Sequence, residues 1–202
     1  MSTNALLLTV LGFFLGSLMW SYWLGKLVLR RDIRELGDGN PGAFNLMRTG
    51  KLPVAGVGVF LDIGKGVIPA GLAMTFLPVS GWELIPVAIA PVLGHAFSPW
   101  MRFRGGKAVA ATAGVQMGLH PLFTLLIGLP VFVGSYLLMN TSGWAIAVTV
   151  TILFIVQIFL GESTPVLVIW LIQSALLLYK YRADLRQPIG LRSKRRSHTP
   201  PA

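Results

Sequence analysis

The residues able to do chemistry in this chain fall into three polar segments and one charged pair. The first segment reads Gly37-Asp38-Gly39-Asn40-Pro41-Gly42-Ala43-Phe44-Asn45-Leu46-Met47-Arg48. Three glycines, two asparagines and an arginine within twelve residues suit a backbone wrapped around an anion. Glycine permits the positive φ angles that turn successive amides inward, and Asn and Arg add side-chain donors. An ordinary Gly/Pro turn between two apolar runs explains the same residues equally well.

The second segment runs from Gly94-His95 to Arg104-Gly105-Gly106-Lys107, directly before an Ala/Val-rich helical stretch. That order places free backbone N–H groups and two cations at a helix N-terminus, an arrangement that binds phosphate. The GxxxxGK[ST] spacing of a P-loop is absent. Charge anchoring beside an apolar span would explain the bases, but not the paired glycines between them. His95 ends an apolar run. It is either a hydrogen-bonded structural residue or, with an unperturbed pKa of about 6.5, a group that moves a proton at neutral pH.

Asp62 and Lys65 lie three residues apart inside another apolar run, on one helical face. A charge at mid-bilayer costs about 2.5–3.5 kcal/mol on insertion scales, so the two must face each other or a polar interior. They form a structural ion pair, or Lys65 reaches the same anion as Arg48 and Lys107 with Asp62 orienting it. The third polar segment, Lys180 to Gln187, includes Asp184 and has the composition of any basic helix end.

The elements that must position these groups are apolar. Of 202 residues, 54% are hydrophobic and 12% charged, with a mean hydropathy of +0.70. A soluble domain carries roughly twice that share of charge, and the chain is too apolar to be disordered. With no cysteine, disulfide scaffolds, thiolate nucleophiles and iron–sulfur clusters are excluded. The composition predicts an all-α, polytopic integral membrane protein.

Six apolar runs are clear, at about 5–29, 53–77, 83–98, 121–139, 143–160 and 164–179. The first reads as an uncleaved first helix. A shorter stretch, Lys107–Leu119, would reach roughly 20 Å as a helix, against ~30 Å of hydrocarbon. The net charge of +10 gathers in three clusters: Lys26 to Lys51, Arg102 to Lys107, and Lys180 to Arg196. All three fall on one side only if the short stretch also crosses. The expected topology is therefore about seven transmembrane helices, N-terminus outside and C-terminus cytoplasmic. Residues 1–187 form a single domain, and 188–202 a basic, disordered cytoplasmic tail touching anionic lipid. No basic stretch sits in a soluble module, so nucleic acid is not an expected partner.

Taken together, the polar segments resemble the bacterial acyl-phosphate:glycerol-3-phosphate acyltransferases, the PlsY family. The resemblance rests on Gly39-Asn40-Pro41-Gly42-Ala43 with Asn45 and Arg48; on Leu61-Asp62, Lys65 and Gly66; and on Gly94-His95-x-Phe97 with Phe103-x-Gly105-Gly106-Lys107. It implies transfer of an acyl group from acyl phosphate to the 1-hydroxyl of sn-glycerol 3-phosphate, at the cytoplasmic face of a bacterial inner membrane. The products would be lysophosphatidic acid and phosphate. No metal or cofactor is implied.

The resemblance places His95, Asp38 and Asn40 at the catalytic centre. It assigns Asn45, Arg48, Asp62, Lys65, Arg104, Gly105, Gly106, Lys107 and Asp184 to substrate binding, with membrane lipid around the acyl chain. Arg48, Lys65, His95 and Lys107 should then converge on one cavity. The chain also departs from the family pattern. Asp38 stands where a serine is usual, Ala108 where a second glycine is, and Tyr181 and Asp184 where a histidine and an asparagine are. A carboxylate at Asp38 opposes phosphate binding unless a cation offsets it. The alternative is a non-catalytic or diverged membrane protein that binds or moves a phosphorylated lipid or small organic phosphate.

Overall fold

Each apolar run folds as a helix, because only internal backbone hydrogen bonding satisfies the peptide groups of an apolar stretch this long. The structure is a computed structural model, and it describes residues 1–192. The first run is two helices, α1 (Thr3–Ser17) and α2 (Trp20–Leu27), broken at Leu18-Met19. A five-residue helix, α3 (Ala43–Met47), follows in the first polar segment, and then α4 (Leu52–Thr75). α5 (Leu84–Ala96) leads through a 3-10 turn, Pro99–Met101, to α6 (Val109–Leu119).

A short helix α7 (Pro121–Phe123), a π-helical turn over Thr124–Gly128 and α8 (Leu129–Leu138) form one continuous segment. α9 (Ser142–Phe159), α10 (Thr164–Lys180) and the single turn α11 (Arg182–Leu185) complete the described chain. Among the described residues, five segments are long and apolar enough to cross a membrane: Thr3–Leu27, Leu52–Thr75, Gly81–Met101, Pro121–Leu138 and Ser142–Phe159. Val109–Leu119 and Thr164–Lys180 are shorter apolar helices.

Small residues set the packing. α4 lies along α6, and α1 along α5. A Cβ at Gly66 would strike the carbonyl of Ala111, and one at Gly114 that of Ile63, so the backbones of α4 and α6 touch directly. Such close approach is how helices associate where no hydrophobic drive separates them from lipid. Polar glue is buried too: Gln116 Nε2 donates to Gln173 Oε1 at 2.8 Å, and Gln173 Nε2 to the Ala88 carbonyl at 3.1 Å, joining α6, α10 and α5.

The two ends of the bundle differ in charge. At one end Glu83 accepts from the Ser2 amide at 2.6 Å, and Glu162 faces His120 at 3.7 Å. Every described Lys and Arg except Lys65 belongs to the segments gathered at the other end. There the chain after α11 does not hang free. Asn140 Nδ2 donates to the Pro188 carbonyl at 2.9 Å, the Asn140 amide to Gly190 at 2.9 Å and the Arg192 amide to Leu138 at 2.7 Å. These bonds pair the Pro188–Arg192 stretch, within the tail expected to be disordered, with the α8–α9 turn. The rest of the expected basic tail, 193–202, lies outside the described residues.

Candidate active site

Lys107 is where the three polar segments meet. Its ammonium stands 2.9 Å from Asp38 Oδ2 and 3.1 Å from Asp184 Oδ2, and 4.1 Å above the ring of Tyr181. Asp184 is set in place by α11, which packs on Gly143 at the start of α9. Asp38 is set by the first loop. Its Oδ1 accepts from the Asn45 side chain at 3.0 Å and from the Asn40 amide at 3.2 Å. Burial raises the Asp38 pKa, but the hydrogen bond and positive charge of Lys107, with the hydrogen bonds from Asn40 and Asn45, together outweigh it and hold the carboxyl below its ordinary 3.8. The cation needed to offset Asp38 is therefore Lys107 itself.

Asn45 organises the first loop. Buried on α3, its amide also donates to the carbonyls of Leu36 at 2.8 Å and Asn40 at 2.9 Å, closing the turn from both sides. Gly37, at φ +55°, passes so close that a Cβ would meet Asn45 Oδ1 and Arg48 Nε. This is why the segment needs glycine there. Arg48 is exposed, and its guanidinium has no partner among the described residues. Asn40 folds its side chain over Gly42.

The paired glycines do two jobs. A Cβ at Gly105 would strike the His95 carbonyl, and one at Gly106 the His95 ring at Nε2, so the loop lies flat on His95. The Gly106 amide donates to the His95 carbonyl at 3.0 Å and is thereby committed. The amides of Gly105, Lys107 and Ala108 have no partner among the described residues, and those opening α6 are free by helix geometry. Ala108 adopts φ +63° at the helix start, a left-handed conformation that costs a non-glycine residue roughly 1–2 kcal/mol. His95 is only 3% exposed, and its Nδ1 has no partner among the described residues.

Asp62 and Lys65 lie apart from this surface. Each side chain is 1% exposed, and they face each other at 2.9 Å as an ion pair. Lys65 Nζ donates to the Leu18 carbonyl at 2.7 Å, and Ser21 Oγ to Asp62 Oδ2 at 2.5 Å. The pair thus supplies the missing partners of the α1–α2 break, where a carbonyl without an intrahelical donor would otherwise be buried. Lys65 spends two of its three ammonium donors on Asp62 and the Leu18 carbonyl. His95, beneath Gly106, lies one layer below the surface cations. Arg104 also separates from Lys107: it lines a neighbouring cavity of about 730 Å³ with Arg34, Arg102, Tyr22, Trp100 and Gly39.

Two groups had no sequence signal strong enough to single them out. Lys180 donates to the carbonyls of Ala96 at 2.9 Å and Gly105 at 3.1 Å, stapling α10 to the glycine loop. A lysine ending a helix reads as an interfacial anchor. Ser21 reads as one polar residue in an aromatic helix, and its partner is 41 residues away.

A helical bundle with several membrane-length apolar segments and basic, amide-lined loops at one end defines a multi-pass membrane protein built to handle an anion. The family described as glycerol-3-phosphate acyltransferase matches residues 6–189. The glycerol-3-phosphate acyltransferase of Anaplasma phagocytophilum is 36% identical over 186 residues, 91% of this chain and 94% of that protein. That of Pseudomonas paraeruginosa is 34% identical over 182 residues, covering 89% and 93%. A crystal structure of PlsY, an integral membrane glycerol 3-phosphate acyltransferase, in its glycerol 3-phosphate form superposes with a TM-score of 0.82, 30% identity and 90% of both chains covered. The lysophosphatidic acid form gives 0.80 at 29% identity over the same shares. This chain belongs to the glycerol-3-phosphate acyltransferase family.

Proposed function

We propose that this chain is a membrane glycerol-3-phosphate 1-O-acyltransferase that uses acyl phosphate as its donor. The observation that carries the reading is Lys107 at the N-terminus of α6, among unpaired amides, joined by its ion pairs to the first and third polar segments. Both substrates bear a phosphate, and free amides with fixed cations at a helix start suit that group.

In the reaction the glycerol 1-hydroxyl attacks the acyl carbonyl. A carbon–oxygen bond forms, the bond from the acyl carbon to phosphate oxygen breaks, and phosphate leaves with that electron pair. The donor is an activated mixed anhydride, so positioning and charge neutralisation do most of the catalysis. Arg48, Lys107 and the amides of Gly105, Lys107 and Ala108 would hold phosphate. Asn40 and Asn45 would fix the first loop, and Asp38, ionised and exposed, would accept the hydroxyl proton. His95 and Gly106 would support the glycine loop from below, and Asp62 and Lys65 the α1–α2 break.

The charge asymmetry supports a cytoplasmic, basic end in a bacterial inner membrane. The two short apolar helices would complete about seven crossings, and the acyl chain would lie between helices against lipid.

Donor choice tests the proposal. Purified protein with glycerol 3-phosphate should form lysophosphatidic acid from palmitoyl phosphate and none from palmitoyl-CoA. Product from palmitoyl-CoA alone would overturn the donor assignment.

A further inference from the structure

The loops leave a second basic concavity beside the Lys107 cluster. Its wall includes Arg34, Arg102 and Arg104, with Tyr22, Trp100 and Gly39, and no carboxylate among the described residues lines it. Arg34 is held in place, 4.8 Å over the Tyr22 ring, with Nη2 at 2.6 Å from Asp32 Oδ2 outside the cavity. Arg102 and Arg104 are exposed, and their guanidiniums have no acidic or hydrogen-bonded partner among the described residues. Lys107, Asp38, Asn45 and Arg48 do not line this space. The Gly39–Pro41 turn is the wall shared with the cluster.

Arg102 and Arg104 line one volume of about 730 Å³ with no acidic partner to offset them, and Arg34, whose charge Asp32 offsets in part, lines the same space, so the cavity favours an anion. The surroundings say where that anion comes from. Trp100 is 60% exposed and Phe103 65%, interleaved with the two free arginines. The indole N–H of Trp100 donates to Ser17 Oγ at 3.0 Å, which ties the ring to the end of α1. The fifteen residues of α1 extend ~22 Å from the opposite end of the bundle, so this ring lies near the edge of a ~30 Å hydrocarbon layer. Trp20 and Trp23 of α2 stand at the same break, their rings edge to face at 5.5 Å. Aromatic rings of this kind sit at headgroup level.

We infer that the Arg34–Arg102–Arg104 cavity binds the phosphate of an anionic membrane lipid, at a site separate from the phosphate site at Lys107. A headgroup entering from the bilayer edge meets the arginines while its chains remain against Trp100 and Phe103. Occupancy braces the Gly39–Pro41 turn from outside without touching the reacting groups.

The test uses the full chain in detergent, with bound lipid counted by native mass spectrometry, a readout independent of acyl transfer. Short-chain phosphatidylglycerol, phosphatidylcholine and inorganic phosphate are the probes. Phosphatidylglycerol should bind about tenfold more tightly than phosphatidylcholine. Arg102→Gln with Arg104→Gln should lose at least about tenfold of that affinity, while Lys51→Gln, at the same end but outside the cavity, leaves it unchanged. If the paired variant does not fold, Arg102→Gln alone carries the test with a loss of about threefold or more. Unchanged phosphatidylglycerol affinity in a folded Gln variant, or equal binding of both lipids, overturns the inference. Displacement of phosphatidylglycerol by equimolar inorganic phosphate also overturns it, marking a site for free anions.

Discussion

Lys107 Nζ donates to Asp184 Oδ2 at 3.1 Å, linking residues 77 positions apart. Asp38 takes the other side of the same ammonium at 2.9 Å, so one cation stands against two carboxylates. Asp38, Tyr181 and Asp184, three positions expected from the sequence resemblance to be departures, therefore share a single partner. The departures act together: the carboxylates hold Lys107 at the start of α6 but also compete with an incoming phosphate for it.

That competition sets the first prediction. Asp184→Asn keeps a hydrogen-bonding shape and removes one of the two negative charges beside Lys107, the one at 3.1 Å. It should lower KM for glycerol 3-phosphate about fivefold, the effect of ~1 kcal/mol of screened Coulomb energy. Stability should change by less than ~1 kcal/mol, since both partners are partly exposed. Steady-state kinetics decide. A KM that rises instead would mean that Asp184 contacts the acceptor itself.

Asp38 gives stability a pH dependence of known sign. Burial raises its pKa, and Lys107 with the Asn40 and Asn45 hydrogen bonds together more than reverse this, leaving it below the ordinary 3.8. A carboxyl depressed on folding stabilises above its unfolded pKa and loses that contribution as pH falls through the folded value. Between pH 6 and about pH 3.5, the melting temperature of the wild type should therefore fall further than that of Asp38→Asn. Parallel melting curves would show that the Lys107 contact contributes nothing in solution.

The buried pair is the structural counterpart. Lys65→Met leaves Asp62 charged at 1% exposure and removes the donor to Leu18. Breaking such a pair costs about 3–5 kcal/mol. Asp62→Asn with Lys65→Met should recover much of the loss, because no uncompensated charge remains. A double-mutant cycle on thermal stability measures it, and an additive result would mean the two side chains act independently.

Ala108 carries backbone strain that glycine would not. Ala108→Gly should raise stability by about 1 kcal/mol, since φ +63° is free for glycine and strained for alanine. A small rise in melting temperature with unchanged KM is expected. A fall would show that the buried Ala108 methyl matters more than the strain.

The helices were legible because apolar runs of membrane length permit one solution. The run predicted at 121–139 is a helical segment at Pro121–Leu138, and that at 143–160 is Ser142–Phe159. The break at Leu18-Met19 was not read from the sequence, because the Gly16-Ser17 pair before it lies inside one continuous apolar run. It persists because distant groups, Lys65 and Ser98, donate to the carbonyls of Leu18 and Ser17 at 2.7 Å each. The site was legible as types and spacing in the first and second segments. What spacing could not show was the third dimension. By composition Asp184 was one acid in a basic helix end, and only α11 brings it to Lys107; spacing likewise could not show that Lys65 reaches back to the Leu18 carbonyl.

The most direct test of the central claim is phosphate release from palmitoyl phosphate by the purified protein, with and without glycerol 3-phosphate, beside a folded Lys107→Ala variant. The account predicts acceptor-dependent release in the wild type, lowered by about 100-fold or more in the variant. Equal release with and without acceptor, or a Lys107→Ala protein as active as the wild type, would contradict it.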